Sequence, residues 1–454
     1  EYVGMWVNGQ KEGQGIFTSS NMGKYIGMWT ADRRNGDGSQ TYSNDDKYDG
    51  EWLDNKKHGL GVMTYSIGDE YDGRWRKGLR HGTGRHMYSN EDIYSGNWDN
   101  GQRDGKGTIN YENGDRYEGD WDGDRIQGMG IFKYANGSSY DGEWINGRRN
   151  GRGTHITIAN DKYIGEWKND LKEGEGTFTD NKGSKYKGEW KNDKRNGSGT
   201  FTDILGHRYV GHWVNGQRKG KGTYSFAGQK KDETIIGNQL FYKGNRYVGE
   251  WNEDKFHGEG SFKYLNGDTY EGSWVFDKRE GKGIFTSSTG EHYEGDWKDD
   301  LKYGRGQMDY ANGDHYVGNW KQDGMNGEGE MIYKNGDRYK GVWANNLKHG
   351  KGIYQYGNGE TYDGLWSNDV RKGQGKYNYK NGDHYQGDWS DGIREGYGIF
   401  KDQIGNTYEG EWKNDLKMGQ GTYIDVNGDI YVGEWKNDLK DGLGKVTYSN
   451  GDSY

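Results

Sequence analysis

The sequence predicts an all-β fold: an elongated, single-layer, twisted antiparallel β-meander built from about 19 hairpin repeats of 23 residues. Three observations predict it. All 19 Trp share one register, recurring every 23 residues from Trp6 to Trp213 and again from Trp251 to Trp435. A Tyr stands four residues before each Trp and a Gly two residues before it, from Tyr2 and Gly4 to Tyr431 and Gly433. The chain of 454 residues holds 84 Gly and no Pro, which suits a backbone that needs its N–H groups nearly everywhere, as a continuous sheet does.

Within a unit, Tyr, Gly and Trp alternate with other residues, so the three point to one side of a strand. Two more glycines follow each Trp at seven and nine residues, as at Gly13 and Gly15 or Gly174 and Gly176. Eleven residues after Trp the side chain is apolar or aromatic in 16 of 19 copies, and at thirteen it is Tyr or Phe in 12. One face of the second strand therefore reads Gly, Gly, apolar, Tyr, with polar residues between. Asn8-Gly9 and Asn169-Asp170 after Trp, and Asn113-Gly114-Asp115 before the next Tyr, tolerate positive φ and mark tight turns. A lone hairpin is marginal in water, so the units must stack. We expect each bare Gly to admit a neighbouring Tyr or Trp ring. At about 4.8 Å per strand, 19 such units would extend roughly 180 Å.

Composition excludes several classes. Without Cys there is no disulfide framework, thiolate metal site or cysteine nucleophile. No stretch approaches the length of apolar residues that a membrane helix needs. A formal net charge of −9 gives no global basic field, so nucleic acid is not an expected partner. The start at Glu1 rather than Met makes the chain read as a segment of something longer.

The motifs quoted above resemble the MORN repeat family, and copies such as YIGEWKNDLKEGEGTF from Tyr163 and YEGEWKNDLKMGQGTY from Tyr408 carry the likeness. It covers essentially the whole chain except about 15 residues. The resemblance implies a twisted β-meander in a protein that organises other molecules. Members include radial spoke head proteins, cortical cytoskeleton scaffolds, junctophilins, and the amino-terminal parts of some phosphoinositide kinases and one class of lysine methyltransferase.

The array divides into residues 1–224, an insertion at 225–243 and residues 244–454, because the Trp213 to Trp251 interval is 15 residues too long. Gly220, Gly222, Tyr247 and Gly249 keep the register, so the insertion is expected as an enlarged loop. Its Ile235, Ile236, Leu240 and Phe241 make it a candidate contact loop. Five residues after Trp stands Lys or Arg in 16 of 19 copies. Arg149, Lys172, Arg195 and Arg218 represent this basic row, which would suit anionic lipid or acidic protein surfaces. The competing reading pairs the row with the Asp or Glu one residue before Trp, as at Glu143 and Glu189.

Gly-x-Gly recurs in every unit without the helix or GK[ST] that nucleotide loops require. His58, His81, His257 and His349 occupy one repeat position and would lie far apart, while His207 and His212 lack a third ligand. No catalytic, cofactor or metal residues are assigned. The leading expectation is a non-enzymatic scaffold, cytoplasmic and cytoskeleton-associated, in a ciliary (axonemal) or cortical assembly. Its partners would be other proteins of that complex, with a homodimer as a further expectation. The predicted binding face is aromatic, represented by Tyr117, Trp121, Tyr140, Trp144, Tyr163, Trp167, Tyr186 and Trp190, since one layer cannot cover it with a second sheet. The alternatives are a phosphoinositide or anionic-membrane module using the basic row, and a regulatory arm of an enzyme.

Overall fold

The computed structural model describes residues 1–227, 234–236, 239–241 and 244–454, with the backbone alone for 234–236 and 239–241. Among the described residues there are strands and turns and no helix. The chain divides into two units, Glu1–Arg218 and Lys219–Tyr454. Each is an open antiparallel meander in which strands pair with their neighbours in the chain.

One repeat serves for all. The strand Ser139–Ile145 turns back into Arg148–Ile156, and the pairs Tyr140↔His155, Gly142↔Gly153 and Trp144↔Arg149 define the hairpin. A bulge interrupts the register between Gly142 and Trp144. The second strand then pairs with Lys162–Lys168 of the following repeat through Gly151↔Trp167, Gly153↔Gly165 and His155↔Tyr163. The tight turn is Asn146 and Gly147, with φ of 50° and 75°. Two successive positive φ values match the right-handed twist of the flanking strands, which explains Asn-Gly at this position.

The two glycines of Gly-x-Gly do different work, although their sequence spacing placed them on one face. Gly153 has room only for hydrogen: a Cβ there would lie 2.3 Å from the Tyr140 hydroxyl and 2.5–2.6 Å from ring atoms. Gly151 has φ of +59°, and a Cβ there would meet the Glu143 carboxylate on the opposite face. Gly151 supplies the left-handed conformation of the bulge, and Gly153 clears space for a ring. The expected ring over glycine is that of Tyr alone. In most repeats Trp instead donates its indole N–H to a glycine carbonyl of the preceding repeat, as Trp144 Nε1 does to Gly130 O at 3.1 Å; the indole nitrogens of Trp29, Trp213 and Trp343 do not.

The longer turns are stitched repeat to repeat. Asp115 Oδ1 accepts from the Ala135 amide at 2.8 Å, and Asp92 Oδ1 accepts from the Glu112 amide at 2.9 Å. These bonds tie each turn to the next and satisfy amides that strand pairing leaves over. At the insertion, Gln217–Ser225 pairs with Arg246–Asn252 through Gly220↔Trp251, Gly222↔Gly249 and Tyr224↔Tyr247, so the ladder resumes in register. The insertion is more than the loop expected: Thr234–Ile236 and Gln239–Phe241 form a separate two-stranded pair. The side chains of Ile235, Ile236, Leu240 and Phe241 lie outside the described residues.

Candidate partner-binding surfaces

The aromatic face is packed against itself. Tyr140 is 0% exposed and Trp144 4%. Tyr140 meets Trp144 edge-on at 5.1 Å and then Trp167 of the next repeat at 5.4 Å. The same alternation joins Tyr163 to Trp167 and Trp190, and Tyr117, Trp121 and Tyr186 are equally buried. Each edge-to-face contact adds about 0.5–1.5 kcal/mol to the burial of the rings. The Tyr140 hydroxyl donates to the Glu143 carbonyl at 3.1 Å, which satisfies it inside the layer. The eight aromatics expected to meet a partner are thus interior residues of the sheet's own packing. A single layer buries them because every ring has a neighbour one repeat away.

The basic row roofs this layer. Arg149 sits with its guanidinium carbon 4.3 Å from the Trp167 ring centroid, Lys172 Nζ lies 5.1 Å from that of Trp190, and Arg195 lies 4.3 Å from that of Trp213. Arg218 lies over Tyr209 at 5.7 Å. Burial lowers the Lys172 pKa, partly countered by Asp193. The Lys57 ammonium, also over a Trp, is pushed down to about 8 by burial and by Arg80. The acids beside Trp are not its partners. Glu143 accepts from the Arg152 amide at 3.0 Å across the bulge, as Glu189 does from the Ser198 amide at 2.7 Å. Where the following tight turn carries an Asp, that Asp is the counter-charge: Arg149 Nε donates to Asp170 Oδ1 at 3.2 Å, and Arg394 Nε to Asp415 Oδ1 at 3.0 Å, whereas Arg80 and Arg371 meet turns with Gly101 and Gly392 and donate to their carbonyls. Sequence reasoning overlooked these aspartates, though their offset of 21 residues was available as a signal.

What remains open on this face is the Tyr row thirteen residues after Trp. Tyr88, Tyr111 and Tyr134 are half-buried. They interleave with the rings at eleven, as Tyr111 does with Phe132 at 6.1 Å and Phe132 with Tyr134 at 4.5 Å. Burial raises the pKa of each hydroxyl. Here the face holds a cavity of about 670 Å³, floored by Tyr88, Tyr111, Ile109 and Trp121. Asp69 and Asp92 border it on the side of the longer turns, and Asp124, Arg125 and Asn146 on the side of the tight turns. It is a trough between the two rows of turns. Among the described residues no three His, Asp or Glu side chains are placed to hold a metal ion.

The fold and these surfaces define a class: an open array of β-hairpins in which each repeat completes the core of its neighbour. Nineteen segments, from residues 2–21 to 431–453, match the MORN repeat. The chain belongs to the MORN repeat family, whose members are generally non-catalytic repeat scaffolds for protein or membrane interaction. Comparison with curated proteins found no match. Among solved structures, the chain is similar to the TCP domain of SAS-4 from Drosophila Melanogaster, determined with a proline-rich motif of Ana2. That match has 15% identity, covers 38% of this chain and 88% of that one, and has a TM-score of 0.24. The TCP10 domain of Danio rerio CPAP matches at 12% identity over 47% and 93%, with a TM-score of 0.26. At these scores the likeness carries no argument about function.

Proposed function

We propose that the protein is a non-enzymatic scaffold of a cytoplasmic cytoskeletal assembly, ciliary or cortical, and that the trough on its aromatic face holds a segment of a partner protein. The observation that carries this reading is the half-exposed Tyr88 and Tyr111 on the floor of a 670 Å³ cavity between two walls of turns. Concave sites with an aromatic floor and a few polar groups at the rim are where ligands dock. Tyr is favoured in such places because it offers a large contact area and little side-chain entropy to lose. The membrane reading loses support, because Arg149, Lys172 and Arg195 lie over Trp rings, Arg218 lies over Tyr209, and Arg149 pairs with the turn residue Asp170.

A photo-crosslinking residue in place of Tyr111 tests the proposal in a ciliated cell. Crosslinks to axonemal or cortical proteins, absent when the same residue replaces the exposed Lys413, are expected. Crosslinks confined to membrane proteins or lipid enzymes would overturn the cytoskeletal assignment.

A further inference from the structure

We propose that a line of cations on the face opposite the aromatics, Lys162, Lys185 and Arg208 with Lys187 beside them, docks an acidic, extended segment of a partner protein. This surface is independent of the trough. Strand register sets the line: Lys162 is opposite Thr179, Thr179 opposite Lys185, Lys185 opposite Thr202, and Thr202 opposite Arg208. It therefore runs straight across five strands of the first unit, with a cation on every second strand and a threonine between. Lys187 belongs to the adjacent line, between Thr177 and Thr200. All four cations are exposed.

The four charges are uncommitted. Among the described residues none of them has a carboxylate within ion-pair distance, whereas Lys47 and Arg116 in the same repeat position pair with Asp49 at 2.6 Å and Glu118 at 2.8 Å. The nearby acids have other duties. Asp161, Asp180 and Asp203 accept turn amides at 2.8–3.0 Å. Glu189, two residues from Lys187, accepts the Ser198 amide. A protein of net charge −9 thus carries a local group of four exposed cations, three of them in one line, that form no ion pair among the described residues, which is the complement of an acidic ligand.

Geometry favours an extended peptide over a lipid surface. Cations on alternate strands are about 9.6 Å apart, and a segment in the extended polyproline II conformation advances about 9.3 Å per turn of three residues, so that side chains three apart point the same way. Carboxylates at every third residue would meet Lys162, Lys185 and Arg208 in turn, with the Thr179 and Thr202 hydroxyls between them as donors. A flat anionic membrane would contact the whole face and so would also meet Glu166, Glu175 and Glu189, which lie among the lysines. A peptide following the line avoids them.

The test uses the full chain and fluorescence anisotropy with two peptides of equal charge, four glutamates at every third residue and four contiguous glutamates, and with an uncharged control, the spaced peptide with glutamine. The spaced peptide is expected to bind most tightly, more weakly as salt rises. The combined substitution Lys162→Gln, Lys185→Gln, Lys187→Gln, Arg208→Gln should weaken it about tenfold or more and flatten the salt dependence. A control set on the same face, Lys168→Gln, Lys191→Gln and Lys194→Gln, should change affinity by about twofold or less. Because every substituted residue is exposed, thermal unfolding should be unchanged in both variants. Equal loss in the control, equal binding of the contiguous peptide, or binding to phosphatidylserine vesicles with none to the peptide would each overturn the proposal.

Discussion

Arg149 and Trp167 belong to different repeats, yet the guanidinium carbon of one lies 4.3 Å from the ring centroid of the other. The same side chain donates from Nε to Asp170 at 3.2 Å and from a terminal nitrogen to the Asp170 carbonyl at 3.0 Å. One residue thus covers the indole of the next hairpin and fastens the turn that follows it. Its side chain is 19% exposed, which is the accessibility of a roof and not of a free surface charge.

Arg149→Ala should lower stability by about 1–2 kcal/mol, from the lost cation–π contact and the stem packing over Trp167. Hydrogen exchange should place the loss in the two flanking hairpins, since an array opens locally. Lys at this position should be milder, because Lys172 covers Trp190 in the same way. Loss of vesicle binding with unchanged exchange would show that the charge faces outward instead.

Two glycine substitutions separate space from backbone conformation. Gly153→Ala should cost more than about 3 kcal/mol, because its Cβ has nowhere to go beside Tyr140 and the ring cannot leave a packed layer. Gly147→Ala should cost only about 1 kcal/mol: nothing lies within 4 Å of its Cβ, and the penalty is that of φ at +75°. Chemical denaturation of both variants checks the order, and the reverse order would refute the division of labour between them.

Tyr140→Phe keeps the ring and removes the hydroxyl that donates to the Glu143 carbonyl. The expected loss is about 1 kcal/mol, the net worth of one hydrogen bond. Tyr140→Ala should cost about 3–5 kcal/mol by opening a cavity between Trp144 and Trp167. Nearly equal losses in the two variants would mean that the hydroxyl, and not ring packing, holds the layer.

Alkaline pH should unfold the array cooperatively. Burial raises the Tyr25 hydroxyl to about 12, and raises Tyr48, Tyr140 and Tyr163 as well. The folded state then keeps protons that the unfolded chain loses near pH 10, so stability falls as pH rises above about 10. Lys57 has the opposite sign: its folded pKa of about 8 lies below the unfolded value, so its contribution to stability grows from about pH 8 to 10. Tyrosinate absorbance should rise together with loss of Trp fluorescence. Lys57→Met should remove the gain between pH 8 and 10 and leave the alkaline collapse in place.

Much of this protein is determined by its sequence alone. The period of 23, the parity of Tyr, Gly and Trp, and the Asn-Gly turns specify the hairpin, its register and the resumption of the ladder at Gly220↔Trp251. Side-chain period and turn geometry are local properties, so spacing reports them. Tertiary structure decided which surfaces are free. The Tyr and Trp rings belong to a closed layer because each Tyr also meets the Trp of the next repeat, as Tyr140 meets Trp167, a contact that parity along one strand cannot specify. Arg149 is drawn onto Trp167 and Asp170 because the bulge at Gly151 and the pairing Gly151↔Trp167 bring the next repeat beneath it. The exposed charges instead stand on the other face, at Lys162, Lys185 and Arg208, where register across strands aligns residues that the sequence scatters.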